Sequence, residues 1–206
     1  MLFTKFYLLT GVLSLTLVTA VSAADVKKIA ESCNACHGKD GASTVATIPS
    51  IGGMSAKFLA STFTSYKEKT RPCAETTIPT GPDKDKKNDM CKVIAALSDD
   101  DVKAIVKFYA GKKFVKATQT FDAALAEKGK ELHKANCEKC HSENGTLAAD
   151  DAGMLAGQHK EYLEASLAQF NDGSRPTDKK MKAKLDALVE DKDAMAALAN
   201  YYASFK

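Results

Sequence analysis

The sequence predicts an all-α protein built from two tandem modules that are related by an internal duplication. Ala, Lys, Leu and Asp dominate the 206-residue chain, which has five Pro and no Trp, and this composition favours helices. No long stretch alternates apolar and polar residues as a strand would, so no sheet is predicted. The first half of the chain aligns with the second half after a shift of 104 residues, which indicates the duplication.

The repeat contains the pentapeptide Cys-x-x-Cys-His, at residues 33–37 and again at residues 137–141. The alignment continues without a gap to an Arg-Pro pair at residues 71–72 and 175–176. From this pair to the next methionine the first half has 17 intervening residues and the second half has four, so the first half carries about 13 extra residues. The halves align again at their last helices.

The pentapeptide has the spacing of a c-type haem attachment site. Two thiols on one helical turn can bond to the two vinyl groups of a porphyrin, and the imidazole that follows can bind the iron. Cys-x-x-Cys also occurs in zinc sites and redox dithiols, but the added histidine and the second copy favour haem. We therefore predict two covalently bound haem c groups, with thioether links at Cys33, Cys36, Cys137 and Cys140 and iron ligands at His37 and His141.

Residues 1–23 are predicted to be a signal peptide, because Lys5 precedes an apolar run and small residues precede Ala24. The alternative is an uncleaved membrane anchor, although the run is short and is interrupted by polar residues. No later stretch could span a membrane. Export would also suit the haems, because c-type haem is attached outside the bacterial cytoplasm, so we expect a periplasmic protein.

The mature chain is divided into module 1 at residues 24–111, a linker at 112–120 and module 2 at 121–206. Module 1 contains the extra loop, residues 73–89. The formal net charge is +3 with both signs interspersed, which does not suggest a nucleic-acid partner. Helices are expected from Asp25 into the first haem motif and at residues 56–69, 90–97, 98–110, 122–137, 160–170, 179–189 and 193–204.

The second axial iron ligand is expected to be a methionine in each module. Met90 and Met181 occupy equivalent positions in the repeat, just before the final helices, and we predict that they bind the irons. Either could instead be a core residue. Four weaker candidates lack an equivalent sulfur or imidazole in the other half, namely Met54, Met154, His133, which is expected at the surface, and His159, which starts a helix.

Two further pairs of residues have candidate roles. Arg71 and Arg175 recur at the same repeat position and could bind haem propionates, or they could be surface residues. Cys73 and Cys91 bracket the extra loop, and in an oxidising compartment a disulfide is the first expectation. The alternatives are a Cu(I) site beside Met90 and a pair of free thiols.

Several segments of the second half resemble the dihaem cytochrome subunit of flavocytochrome c sulfide dehydrogenase. They are Phe121–Ala126, Leu132-His133, Cys137–His141, Leu155–Gln158 and Arg175–Met181. The first half is less similar, and its cysteine-containing insertion departs from the family pattern. Cytochromes c4 are more distant relatives with the same two-module plan. The resemblance implies that both modules are class I cytochrome c modules.

The resemblance also implies a heterodimer with a flavoprotein that binds FAD and oxidises sulfide. This chain has no Gly-x-Gly-x-x-Gly fingerprint, so FAD is expected on the partner only. The chain would pass electrons to a small soluble acceptor such as a cytochrome c, and no catalytic residue is predicted. The first alternative is a free cytochrome c4-type carrier to a terminal oxidase. The second is an enzyme such as a dihaem peroxidase or a thiosulfate dehydrogenase-like protein, which the paired methionines disfavour.

Overall fold

The structure is a computed structural model that describes residues 23–206. The predicted signal peptide therefore lies outside the described residues, except for Ala23, where the first helix begins. Within the described part of the chain, no helix is both long enough and apolar enough to cross a bilayer. The architecture is helical with almost no sheet, as the composition predicts.

Module 1 contains four α-helices, α1 (Ala23–His37), α2 (Ala56–Lys67), α3 (Met90–Ala95) and α4 (Asp99–Ala110). A short 3-10 turn at Lys39–Gly41 follows the haem motif. Each helix ends within about two residues of the position that the sequence predicts, which is the usual uncertainty of helix boundaries. The haem motif thus forms the last turn of α1, as expected.

Local side chains determine where the later helices of module 1 begin. The Ser98 hydroxyl accepts a hydrogen bond from the Asp101 N–H, and the Asp101 carboxylate accepts one from the Ser98 N–H. This pair of hydrogen bonds is a capping box, and the helix ends at Gly111, in agreement with the predicted range 98–110. Helix α3 begins in the same way, because Asp89 accepts a hydrogen bond from the Lys92 N–H.

The core of module 1 forms where α1, α2 and α4 meet. Leu59 and Ile105 are at most 2% exposed, and burying such a side chain stabilises a fold by about 1.5–3 kcal/mol. Tyr109 is fully buried, and its hydroxyl lies 3.0 Å from Asn34 Oδ1 on α1. Tyr109 of the last helix therefore holds that helix against the helix that carries the haem motif.

Module 2 repeats this plan with α5 (Ala123–Asn136), α6 (Ser142–Gly145), α7 (Lys160–Asn171), α8 (Lys179–Asp186) and α9 (Ala194–Ala203). Asp122 caps α5 through a hydrogen bond from the Leu125 N–H. Its core lies between α5, α7 and α9, and α9 is buried along most of its length.

Helices α5 and α9 cross at very close range at Gly129. A Cβ atom built on this glycine would lie only 2.0 Å from the Ala197 carbonyl oxygen. Real Cβ atoms do not approach a carbonyl oxygen so closely, so only glycine permits this crossing. The backbone contact holds the first and last helices of module 2 together.

His133 is buried, which corrects the expectation that it lies at the surface. Its side chain is 1% exposed, and its ring contacts Tyr201 and Tyr202 of α9. Its Nδ1 lies 2.8 Å from the Tyr202 hydroxyl and its Nε2 contacts the Glu138 carboxylate. His133 therefore belongs to the α5–α9 interface and is not among the residues that line the haem cavities.

The insertion in module 1 folds as a hairpin, which the sequence did not predict. Strand β1 (Thr76–Thr77) pairs with β2 (Lys87–Asn88) in antiparallel register, with Thr76 opposite Asn88. Strands of two residues are too short to show an alternating pattern, which explains why the sequence indicated no sheet. We call residues 74–89 the module 1 hairpin.

The two modules are joined by buried hydrogen bonds from the loop before α7. Gln158 is fully buried, its Nε2 donates to the Ser50 carbonyl at 2.9 Å, and its Oε1 accepts from the Ser50 N–H at 2.8 Å. His159 Nε2 donates to the Ser43 carbonyl at 3.0 Å. These bonds link residues more than 100 positions apart and hold the haem motifs of the two modules on either side of one interface.

Candidate haem-binding sites

Each haem motif opens into its own cavity. Cavity 1, in module 1, has a volume of about 670 Å³, and cavity 2, in module 2, has a volume of about 760 Å³. Both lie in the range of cofactor sites. The predicted ligands on the wall of cavity 1 are Cys36, His37, Arg71 and Met90, and those on the wall of cavity 2 are Cys137, Cys140, His141, Arg175 and Met181.

Cys33 is not among the residues that line cavity 1, and it packs against the core of module 1. Burial raises the pKa of its thiol to about 11. At neutral pH it is therefore a neutral thiol next to Tyr109. The pKa values of Cys36 and Cys137 are also raised by burial, so none of these three thiols has the lowered pKa of a reactive redox dithiol.

The first predicted iron ligand is oriented by a backbone hydrogen bond. His37 is buried, and its Nδ1 donates to the Pro49 carbonyl oxygen at 2.9 Å. This contact assigns the proton to Nδ1 and leaves Nε2 with a free lone pair, as a metal-binding imidazole requires. Burial lowers the pKa of His37, which favours the same neutral form.

His141 occupies the equivalent place in module 2. Its Nδ1 is buried and has no hydrogen-bond partner of standard geometry in the described residues. The backbone of Gly153, which is the repeat equivalent of Pro49, lies beside it. Burial lowers the pKa of His141 as well. In both histidines burial thus favours the neutral imidazole, which is the form that binds iron.

Cavity 1 has one methionine on its wall, Met90, whereas cavity 2 has three. Met181 is joined there by Met54, which belongs to the core of module 1, and by Met154. The Thr177 hydroxyl lies 3.1 Å from the Met181 sulfur and donates to it. The repeat equivalence of Met90 and Met181 remains the reason for predicting them as ligands.

The two predicted propionate-binding arginines meet at the module interface. Arg71 is 6% exposed, its guanidinium stacks on Tyr66 at 4.8 Å, and it donates a hydrogen bond of 2.9 Å to the Tyr162 hydroxyl. Arg175 stacks on Phe170, the repeat equivalent of Tyr66, at 4.2 Å. Arg71 is thus a buried residue and not a surface one.

Arg71, Tyr162 and Ser166 line both cavities, and we call these three residues the shared wall. Among the described residues, no carboxylate lies within 4.0 Å of either Arg71 or Arg175, although a buried cation normally requires a counter-charge. Burial opposes ionisation of Tyr162, but the two arginines outweigh it and lower the pKa of its hydroxyl to about 8. The wall therefore offers an unbalanced positive field that fits the carboxylates of a haem.

Cys73 and Cys91 form a disulfide in the structure, with their Cα atoms 5.6 Å apart. This separation is typical of disulfides. Cys73 is exposed, whereas Cys91 is buried at the start of α3 next to Met90. The Asp89 carboxylate lies within 4.8 Å of both sulfurs, but a bonded pair provides no thiolate for the Cu(I) alternative.

Two features of the sites were missed in the sequence. Tyr162 lies in the shared wall, and its repeat equivalent is Phe58. The hydroxyl that is present in only one half was the one sign in the sequence that Tyr162 has a special role. The placement of the module 1 hairpin over the haem motif had no local signal. Its Thr80 hydroxyl donates to the Ala35 carbonyl at 2.9 Å, a contact between residues 45 positions apart.

Comparisons with known proteins agree with this arrangement. The family described as Cytochrome c matches residues 23–110 and 126–205. Cytochrome c4 of Azotobacter vinelandii is 28% identical over 170 residues, which are 77% of each chain. Cytochrome c4 of Stutzerimonas stutzeri is 29% identical over 146 residues, 66% of each chain.

Solved structures share the fold. Reduced recombinant cytochrome c4 from Pseudomonas stutzeri has a TM-score of 0.70 at 25% identity, covering 91% of this chain and all of the other. The thiosulfate dehydrogenase TsdBA from Marichromatium purpuratum also has a TM-score of 0.70, at 21% identity, and the match covers 88% of this chain and 40% of the other.

Proposed function

Since the chain belongs to the cytochrome c family and is a cytochrome c4-like electron-transfer protein, we propose that it relays single electrons between two haems across the shared wall. The observation that carries the proposal is that Arg71 and Tyr162 line both cavities. Two haems bound on either side of one wall would lie close together. An electron that enters one module could then reach the other without leaving the protein.

The residues of each cavity would hold one haem in the same way. Thioether links would form at Cys33 and Cys36 in module 1 and at Cys137 and Cys140 in module 2. The irons would be bound by His37 with Met90 and by His141 with Met181. Each haem supplies a one-electron couple, and a thioether ligand raises its potential. Two protein ligands on each iron leave no position for a substrate, which favours a carrier over a catalyst.

Arg71 and Arg175 would bind the haem propionates. The support is the absence of a carboxylate within 4.0 Å of either guanidinium in residues 23–206, together with the burial of Arg71. A propionate would provide the missing counter-charge and a charge-assisted hydrogen bond. Tyr66 and Phe170 would keep the two guanidinium planes in place.

The electron donor that we propose is an FAD-containing sulfide dehydrogenase subunit, with this chain as the cytochrome subunit of a heterodimer. The support is the resemblance of the second-half segments, such as Arg175–Met181, to that family. The exported, periplasmic chain would pass the electrons to a small soluble acceptor. A second candidate is a free cytochrome c4-type carrier to a terminal oxidase, which the 28–29% identity to cytochromes c4 favours.

The haem assignment is tested by mass spectrometry and optical spectra of the exported holoprotein. We expect the mass of two haems, and we expect Met90→Ala and Met181→Ala each to abolish one methionine–iron charge-transfer band in the near infrared. Met154→Leu is the matched control, because Met154 also lines cavity 2 and should leave the spectrum unchanged. Loss of the band in the control, with retention in M181A, would contradict the ligand assignment.

The donor is tested by isolating the native complex. Co-purification with a flavoprotein and sulfide-dependent reduction of the haems would support the heterodimer. A lone dihaem protein that sulfide does not reduce, but that a terminal oxidase oxidises, would favour the second candidate.

A further inference from the structure

The haem-attachment edges of the two modules differ in how far the rest of the chain covers them. In module 1 the hairpin folds over the motif, since Thr80 donates to the Ala35 carbonyl and Ile78 and Pro82 line cavity 1. Ile78 is 8% exposed, so the hairpin packs closely on the module. Cys36 is consequently only half-buried and not exposed.

Module 2 has no insertion at this place, and its edge is open. The repeat equivalent of Ala35 is Lys139, which is exposed and lines the opening of cavity 2. The adjacent Cys140 is exposed, unlike its equivalent Cys36. A haem bound in cavity 2 would therefore present its thioether edge to solvent, whereas a haem in cavity 1 would be covered at the same edge.

The charges around the openings also differ. Lys139, Lys180 and Lys184 surround the opening of cavity 2, and all three are exposed. Within residues 23–206 none of the three lysines lies within 4.0 Å of a carboxylate. The ion pairs of this region involve other lysines. We call these three residues the lysine rim.

The two carboxylates that line cavity 2, Asp151 and Asp178, make no ion pair with the lysine rim. Asp151 pairs with Lys57 of module 1 at 3.2 Å, and Asp178 accepts the hydrogen bond that caps α8. Around cavity 1, three of the four lining carboxylates are paired locally, Asp83 with Lys86, Glu75 with Lys87 and Asp89 with Lys92, whereas Glu31 has no lysine or arginine within 4.0 Å among the described residues.

We propose that external electron exchange takes place at the opening of cavity 2, and that the lysine rim docks a redox protein with an acidic surface around its own cofactor. The inference rests on the proposed function, since it requires a haem in cavity 2. A cluster of unpaired charges beside an opening steers an oppositely charged partner to it and raises the association rate by 10–10³-fold. The covered edge of module 1 would then serve exchange within the protein and not with the soluble partner.

The test uses the full-length holoprotein and reduced plant-type ferredoxin, an acidic one-electron donor of low potential. The variant is Lys139→Glu/Lys180→Glu/Lys184→Glu. Its control is Lys27→Glu/Lys107→Glu/Lys113→Glu, which changes the net charge equally at exposed lysines that line neither cavity. The second-order rate of haem reduction is measured by stopped flow at low and at high ionic strength.

We expect the wild-type rate to fall as salt is added, because salt screens exposed charges. The rim variant should be at least about tenfold slower at low salt and should lose this salt dependence, whereas the control should retain it. Equal slowing of both variants, or a larger effect of the control, would overturn the proposal.

Three further measurements separate the possible failures. Backbone amide shifts on adding ferredoxin should cluster at residues 139–140 and 179–185, and clustering on the module 1 hairpin would overturn the proposal. Vesicles of anionic lipid that bind the wild type but not the rim variant, with an unchanged ferredoxin rate, would assign the rim to a membrane surface instead. Haem content is measured first, because fewer than two haems would refute the proposed function itself, whereas two haems without rim dependence would refute only the docking.

Discussion

Cleaving the covalent link between Cys73 and Cys91 should destabilise module 1 by a predictable amount. The two cysteines are 18 positions apart. A cross-link of this span lowers the entropy of the unfolded chain by 2.1 + 1.5R ln 18 cal/mol/K, which corresponds to about 3 kcal/mol at 25 °C. For a protein of this size each kcal/mol shifts the melting temperature by about 2–4 °C. The expected loss is therefore about 6–12 °C.

The first variant should be Cys73→Ser. Cys73 is exposed, so its replacement removes the cross-link but leaves the buried Cys91 sulfur in place. The double variant with Cys91→Ala then adds only the cost of the lost buried sulfur. Thiol reductants are unsuitable because they would also reduce the haems, so all proteins are held in the ferric state.

Denaturant unfolding is followed through the methionine–iron bands. Module 2 lacks the disulfide, so the Met181 band provides an internal control in the same molecule. We expect the Met90 band to disappear at lower denaturant in C73S, while the Met181 band changes little. If C73S unfolds within about 0.5 kcal/mol of the wild type, the disulfide does not constrain the unfolded chain, and the reasoning from loop size is wrong.

Three further predictions concern the interface and module 2. Gln158→Ala leaves two buried backbone groups of module 1 unsatisfied and should cost about 2–5 kcal/mol, which lowers the denaturant midpoint of the Met90 band; an unchanged midpoint would contradict the role of this residue. Gly129→Ala should lower the stability of module 2 by at least about 2 kcal/mol in denaturant unfolding, whereas Gly111→Ala, where a Cβ meets only ordinary contacts of 3.5 Å and more, should cost far less. The pKa of the Glu138 carboxyl is lowered from its ordinary 4.5, first by the hydrogen bond with His133. Its contribution to stability is thus present above pH 4.5 and is lost as the pH falls through the folded-state pKa; Glu138→Gln should flatten the acid unfolding curve there, and an unchanged curve would refute the role of this hydrogen bond.

Much of the fold could be predicted because its signals are local. The capping box at Ser98, the Asp122 cap and the helical spacing of apolar residues place most helices within a few residues. The duplication added to these signals, because a residue that is ambiguous on its own is easier to interpret when the other half has the same residue type at the equivalent position. The haem motifs are also local, five residues each, and their chemistry follows from residue type and spacing.

The features that the sequence did not reveal depend on contacts between distant residues. Gln158 bonds to a backbone 108 positions away, and nothing in the amide itself indicates that partner. His133 looked like a surface residue because its own helix is polar, and only the packing of α9 buries it. The module 1 hairpin has strands too short to carry a pattern, so its cover over the haem edge became visible only in three dimensions.

The disulfide at the base of the hairpin also bears on how the protein matures. In the oxidising compartment that we propose for this chain, its six cysteines can pair with one another, and a haem-site cysteine that is captured by Cys73 or Cys91 can no longer react with a haem vinyl group. Closure of the hairpin brings Cys73 and Cys91 side by side, with Cα atoms 5.6 Å apart. We therefore expect haem attachment to depend on the module 1 hairpin closing before Cys73 or Cys91 pairs with a cysteine of a haem motif.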